Sequence, residues 1–490
     1  MPLRASCPVV AVVGAGFCGA LLTIRLARAG GLRIVLLDRS GRFGTGLAFG
    51  AARPLHLLNT PAGRMSAFAD DPEHFTRWAK AREPGVTGGS FLPRARYGAY
   101  LQEMLMAAAA AEEAVDDELD PLAETWRPGR PLKSPRSPQD TLSGQLQDAP
   151  GVTCLQGHVV DLVPSGDGMR LRFADNRTLR ADRVALCPGN PPPADPPELP
   201  AALRDDPRYI ADPWKLEPKR LDPDAPVLLL GTGLTALDAT LTLAEAGHRG
   251  TIHLASRRGL LPQPHRSSSR PGSYPTPDIA RWPATARGYL HGLRAELRRA
   301  AARGIDWREV ITSLRPVTPA LWRGLPQVEQ DRFLRHLRPF WDSHRHRAAP
   351  ATHAPFAALQ AAGRVQVHAG RLAEVTAGAG RLQVTLARGE QRTALTVGAL
   401  INCTGPATDP RRAADPLLAA MIKRGLAAVD PLALGLEVAD DGRLLGRAGP
   451  SARVWVAGPV RRPQLWESTA VLELAPQVAA VAAAIQASLA

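Results

Sequence analysis

The chain has 490 residues, 45% of them hydrophobic, and carries 60 Lys and Arg against 46 Asp and Glu for a net charge of +14. That length allows about three domains of roughly 150 residues with ample apolar material for their cores. The basic balance would suit nucleic acid or a membrane surface. Its arginines, however, are scattered among Ala, Leu and Pro with no lysine-rich or aromatic-interleaved block, so no nucleic-acid partner is expected. The five cysteines (Cys7, Cys18, Cys154, Cys187, Cys403) show neither C-x-x-C spacing nor a paired framework, which argues against a dithiol redox centre and for a reducing, cytoplasmic setting.

Taken in order, the chain opens on an unbroken apolar strand from Val9 to Val13 followed by Gly14, Gly16 and Gly19. In such a fingerprint the first glycine makes the turn, the second lets backbone reach a pyrophosphate and the third lets the helix pack closely. The same glycines break the run from Val9 to Ile24 as a signal-peptide helix, and no other stretch approaches a membrane span. The next strand ends in Asp38, where a carboxylate accepts hydrogen bonds from ribose hydroxyls, favouring FAD or NAD. A long excursion over 41–105 carries GRFGTGLAFG, HLLNTPAGRMSAF and FLPRARYGAYL, and residues 127–150 read as a surface linker. The runs VTCLQGHVVDLV and MRLRFADNRTLRADRVALC predict a small β-meander ending at Cys187-Pro188-Gly189, and NPPPADPPELP is a stiff connector.

A second apolar strand, Val227 to Leu230, then leads to Gly231, Thr232, Gly233 and Ala236. The strand after that helix ends not in an acid but in Ser256-Arg257-Arg258, and guanidiniums there pair bidentately with a 2′-phosphate, so NADPH is the expected ligand. Residues 280–345 read as mainly helical, a second meander ends at Cys403-Thr404-Gly405, and ARVWVAGP leads to Gly458-Pro459 and a helix predicted to open near Glu467-Ser468-Thr469. Gly189 follows Gly14 by 175 residues and Gly405 follows Gly231 by 174, a duplication that predicts two dinucleotide-binding modules. His344-Arg345-His346 lacks metal-ligand spacing, and no metal is expected.

The order GAGFCG, CPG, GTGLTA, SRR, CTG and VWVAGP resembles the two-dinucleotide-binding-domain flavoproteins, which include flavin-containing and N-hydroxylating monooxygenases. HLLNTPAGRMSAF, DDPEHFTRW, FLPRARYGAYL and WESTAVLEL look like a bacterial family described as FAD/NAD(P)-binding, with members linked to urate hydroxylation and amino-acid N-oxygenation. The resemblance implies an α/β protein with two Rossmann-like domains, each with a β-meander, the second inserted in the first: FAD-binding over 1–200 and 406–490, NADPH-binding over 201–405 with a helical insertion. It implies FAD contacts at Gly14, Gly16, Gly19, Asp38, Arg39, Thr45, Gly46, Val159, Gly189, Gly458, Pro459, Ser468 and Thr469. NADPH contacts fall on Gly231, Thr232, Gly233, Ala236, Ser256, Arg257 and Arg258.

The same resemblance places 44–46 and 56–66 beside the flavin ring, with His56, Asn59 and Arg64 as catalytic candidates. A core role for His56 stays open, as does a loop role for His265. The family's phenylalanine, glycine and histidine signature is replaced by Tyr209-Ile210-Ala211-Asp212-Pro213-Trp214, which counts against lactone formation and against generic amine oxidation. The expected activity is NADPH-driven, FAD-dependent use of O2 to hydroxylate a small polar substrate, urate-like or amino-acid-like. The rivals are a reductase passing electrons to an acceptor and an RNA-modifying or RNA-binding protein.

Overall fold

The computed structural model describes residues 7–113, 150–266 and 273–489, and the chain divides into two compact units. The first comprises Met1–Arg53, Pro61–Pro191 and Thr408–Ala490, and the second Pro54–Thr60 and Pro192–Ala407. All but the last residue of the linker expected at 127–150 falls outside the described residues.

A six-stranded sheet organises the first unit in the spatial order Arg443–Gly446, Gly449–Val456, Arg183–Leu186, Val9–Val13, Arg33–Asp38, Gly151–Gln156, parallel except for its first pair. Alternation along the strands separates the two faces. Ala11, Val35, Leu37, Val184 and Leu186 pack on a three-stranded meander (Val159–Ser165, Gly168–Phe173, Thr178–Ala181), with Leu417, Leu418 and Met421 of the helix Pro416–Arg424 in the same cluster. The helix Phe17–Ala29 packs against Val471–Ala487 and Arg94–Glu113.

The second unit repeats this plan with five parallel strands in the order Val365–Ala369, Ile252–Ser256, Val227–Leu230, Ala399–Asn402, Tyr209–Ile210. Leu228, Leu230, Ala255 and Leu400 face a meander of Arg371–Ala377, Leu382–Arg388 and Gln391–Val397. Val227, Leu229, Ile252 and Leu254 face the helix Leu234–Glu245 and Phe356. The long crossover between Ile252–Ser256 and Val365–Ala369 is a run of helices from Ala286–Ala302 to Pro350–Ala361, interrupted by a π turn at Phe333–Leu337.

Two expectations shift at this level. Gly151–Gln156, read from sequence as the start of the first meander, is instead an edge strand of the main sheet, pairing in parallel with Arg33–Asp38, and Arg183–Leu186 returns to that sheet beside Val9–Val13. Val365–Ala369 and Ala399–Asn402 do the same in the second unit. Alternation alone does not say which sheet a strand joins, because a half-buried edge strand and a meander strand share one pattern. The final helix begins at Val471 rather than near 467–469, since Glu467 adopts φ 72° and Thr469 N–H donates to Glu467 O at 2.7 Å, closing a turn first.

Candidate functional site: two glycine turns with opposite strand ends

At the first fingerprint the backbone requires glycine for a visible reason. Gly14 sits at φ 100°, its N–H donates to Leu37 O at 2.8 Å, and a Cβ there would lie 2.2 Å from Cys187 O. A Cβ on Gly19 would stand 1.8 Å from Gly14 O, so the helix packs on the turn through bare backbone. Gly16 is the residue before the helix Phe17–Ala29, with no side-chain cap, so its first N–H groups form an anion-facing end built from backbone alone. The loop after Asp38 comes back over this turn: Gly44 N–H donates to Ala15 O at 2.8 Å, and a Cβ on Gly46 would be 2.8 Å from the Gly16 Cα. Gln102 supports the loop from the helix Arg94–Glu113, donating to Phe43 O at 3.2 Å, while Thr45 precedes the short helix Gly46–Gly50.

Asp38 ends its strand as expected and takes three hydrogen bonds, from Ala15 N at 3.1 Å, Ser40 N at 2.7 Å and Ser40 Oγ at 2.6 Å. A carboxylate offers about four acceptor positions, so room for a ribose hydroxyl remains. Arg39 is exposed beside it, and Val159 is buried at the start of the first meander.

The second fingerprint reproduces the turn. Gly231 has φ 117°, donates to Ala255 O at 2.7 Å, and a Cβ there would lie 2.2 Å from Cys403 O. Ala236 stands where the first module has Gly19 and is fully buried. A Cβ on Gly233 would meet nothing within 4 Å, which is the open approach a pyrophosphate needs. Ser256 Oγ accepts from Gly259 N at 3.1 Å and lies 2.9 Å from Thr232 Oγ1, which itself donates to Leu260 O at 2.6 Å. Arg257 and Arg258 are exposed just beyond. Partial desolvation, then the guanidiniums of Arg371, Arg338 and Arg258, hold Arg257 below the usual arginine range, with Asp342 opposing. Arg338 and Arg371 carry no sequence motif, and only the fold gathers them to the strand end.

The return segment of the first unit is tied by a residue that the motifs do not reveal. Gln477, 6% exposed in the last helix, accepts from Gly458 N at 2.5 Å and donates to Ser468 Oγ at 2.6 Å, while Ser468 Oγ reaches back to Gly458 O at 3.4 Å. Gly458 at φ 115°, Pro459 and the turn through Ser468 and Thr469 are thereby held as one piece, with Cys18 Sγ 3.5 Å from where a Gly458 Cβ would be. Gly189, at φ 69°, lies three residues beyond the strand Arg183–Leu186.

The three catalytic candidates fall in different units. His56 is buried in the second unit, its Nε2 2.9 Å from Thr242 Oγ1 and its ring edge-on to Trp214 at 6.2 Å. Asn59 belongs there too, its backbone carbonyl accepting from His265 Nε2 at 2.9 Å, so the contact to His265 is made by main chain and not by the Asn59 side chain. Arg64 is exposed in the first unit, at the end of the turn Ala62–Arg64. In the stretch that replaces the missing signature, Tyr209 donates to Asp195 at 2.8 Å and accepts from Asn402 at 3.2 Å, and Asp212 caps the turn Pro213–Lys215 by accepting from Trp214 N at 3.1 Å. Four cysteines are buried: desolvation pushes Cys18 and Cys154 up to about 12 and Cys187 and Cys403 higher still. No disulfide joins any of the five.

Comparison with known proteins places this geometry. Residues 11–118 match a family model described as FAD-NAD(P)-binding. No curated protein matches the sequence. Among solved structures, the reduced form of an ornithine hydroxylase from Pseudomonas aeruginosa is similar at 15% identity and TM-score 0.60, covering 99% of this chain and 100% of that one. The FAD-bound cadaverine monooxygenase of desferrioxamine biosynthesis from Erwinia amylovora is similar at 13% identity and TM-score 0.62, over 98% of this chain and 94% of that one. A thioredoxin reductase from Lactococcus lactis is similar at 10% identity and TM-score 0.50, over 98% and 99%. The fold of this chain is therefore that of the two-dinucleotide-domain flavoproteins, represented by those two monooxygenases and that reductase, and its residues 11–118 carry a FAD-NAD(P)-binding sequence pattern.

Proposed function

We propose that this chain is a FAD-dependent, NADPH-consuming monooxygenase that hydroxylates a small polar metabolite of the amine or amino-acid class, with a urate-like ring as the alternative substrate. The observation that carries the reading is the opposite chemistry at the two strand ends of one repeated scaffold: an acid at Asp38, and Ser256-Arg257-Arg258 without an acid at the second. The first suits a free ribose diol and the second a 2′-phosphate. Held in the first module, FAD would supply the redox chemistry, with two electrons drawn from NADPH, one atom of O2 ending in the product and the other in water. The chain's own work is to seat the pyrophosphate on the backbone turn at Gly14 to Gly19, to fix the adenosine ribose through Asp38, and to hold the 458–469 segment in place through Gln477. The substrate class is drawn from the ornithine hydroxylase and the cadaverine monooxygenase that share the fold.

A reductase reading is favoured by the likeness to thioredoxin reductase. The thiols speak against a dithiol version of it, because Cys18, Cys154, Cys187 and Cys403 are buried and their pKa values lie far above those of reactive thiolates. The deciding experiment follows the flavin spectrum of the purified protein during NADPH addition, with ornithine, lysine, cadaverine and urate each present under isotopically labelled O2. Label in a substrate-dependent product supports monooxygenation. Rapid reduction of quinone or ferric acceptors with no label in any product supports the reductase.

A further inference from the structure

The helical insertion does more than bridge two strands. Parallel pairing sets Ala369 beside Ser256, Gly370 N–H donates to Ser256 O at 2.9 Å, and a Cβ on Gly259 would touch Ala369 at 3.3 Å. The strand Arg371–Ala377 therefore starts against the turn that carries Arg257 and Arg258. From the other side, the helix Arg338–Arg345 presents Phe340, 44% exposed, with the Arg258 guanidinium 5.1 Å from its ring centroid. Arg338, one turn's edge away on the same helix, is paired with Asp342 at 3.2 Å.

Three separate elements thus bring four guanidiniums and one carboxylate to the end of the second strand, together with a large exposed aromatic face. We propose that the helical insertion and the first strand of the following meander complete the adenosine 2′-phosphate site of the second module: Arg338 and Arg371 join Arg257 and Arg258 around the phosphate, and Phe340 with Arg258 forms the platform on which adenine stacks. The inference rests on the NADPH reading above and goes beyond it in naming the residues that motif logic does not supply. Like charges gathered this closely repel unless an anion joins them, and a phosphomonoester brings a charge of about −1.5 to −2 near neutral pH. Phe340 and the guanidinium of Arg258 offer a flat, weakly hydrated surface suited to a purine face, which a bare phosphate does not need.

The test is calorimetric titration of the flavin-loaded full chain with two probes, 2′,5′-ADP and 5′-AMP, in 50 mM KCl. The wild-type chain is expected to bind 2′,5′-ADP about 100-fold more tightly. Arg338→Gln and Arg371→Gln should each weaken 2′,5′-ADP about tenfold and leave 5′-AMP unchanged, whereas Phe340→Ala should weaken both probes by a similar factor of about five. Flavin absorbance and melting temperature verify that each variant is folded. Should Arg338→Gln misfold through loss of the Asp342 pair, Arg371→Gln on the strand Arg371–Ala377 and Phe340→Ala, which leaves that pair in place, still decide. If those variants bind both probes like wild type while Arg257→Gln and Arg258→Gln abolish the preference, the role of Arg338, Phe340 and Arg371 is overturned and the NADPH reading stands. If the wild-type chain itself does not prefer 2′,5′-ADP, both fall.

Discussion

The two glycine turns differ in what covers them. In the first module the loop at Gly44 to Gly46 closes back over the turn, so closely that the Gly46 and Gly16 backbones leave no room for a Cβ on Gly46. In the second, Gly233 faces open space, and the strand end is met by long, exposed cationic side chains instead of a loop. A covered turn suits a group that stays through many turnovers, and an open one suits a group that arrives and leaves each time. Closely similar turns, with Gly14 and Gly231 each pinned under a cysteine carbonyl, are thus covered in one module and open in the other.

The sharpest way to break this comparison is to put the same methyl group on both turns. With Cβ 2.2 Å from a carbonyl oxygen and φ near 100°, Gly14→Ala should cost about 3 kcal/mol or more and lower the melting temperature by about 6–12 °C, with loss of copurifying flavin. Gly231→Ala should leave the protein yellow and remove its response to NADPH. Absorbance and thermal melts of both variants check this, and a fully flavinated Gly14→Ala protein would refute the first half. Next in size is an exchange of strand-end chemistry: Ser256→Asp with Arg257→Gln should lower kcat/KM for NADPH about 100-fold while NADH changes only a few-fold. Equal losses with both nucleotides would mean that the strand end is structural.

Asp38→Ala should act more mildly, raising the FAD dissociation constant about tenfold, because it removes ribose and loop hydrogen bonds but leaves the backbone turn intact. Equilibrium flavin titration of the apoprotein measures it, and an unchanged constant would count against a ribose contact. The smallest expected contrast concerns acid. Where the first module's second strand has Val35, the second module has His253, buried and 3.0 Å from His368, and burial followed by the His368 charge lowers its pKa from 6.5 to about 4. A histidine held neutral on folding contributes stability that is full above pH 6.5. The contribution is lost as pH falls toward 4, because the unfolded chain takes up the proton first. Its size is on the order of 2–3 kcal/mol. Urea titrations at pH 7 and pH 5 should show that His253→Val flattens this loss, and an unaltered acid slope would remove His253 as its source.

Much of the scaffold was legible because its signals are local. Apolar strands running into Gly14 and Gly231, and the acid or arginines that end the following strands, are set by turn geometry and appear at fixed offsets. Even the repeated Cys-X-Gly ends were visible as a pattern, although only the fold shows that Cys187 O and Cys403 O are the atoms that forbid a side chain at the turn. What stayed hidden is long-range. Gln477 is one polar residue in an apolar helix until the helix sets it between Gly458 and Ser468. Arg338, Phe340 and Arg371 lie more than 80 residues beyond Arg257 in a chain with many arginines, and no spacing marks them. His56 and Asn59 follow directly on the first module in sequence, yet pack with Thr242 and His265 of the second unit.

The threading of the chain also sets an order of birth. The second unit's sheet draws all its strands from one continuous stretch, residues 192–407. The first unit cannot seat the strand Gly449–Val456 beside Arg183–Leu186, or dock the helix Val471–Ala487 on Phe17–Ala29, until the last tenth of the chain has been synthesised. During translation the second unit's sheet can therefore be folded while the first unit's sheet still exposes an edge, and that waiting edge is the place where a chaperone, or an aggregate, would first take hold.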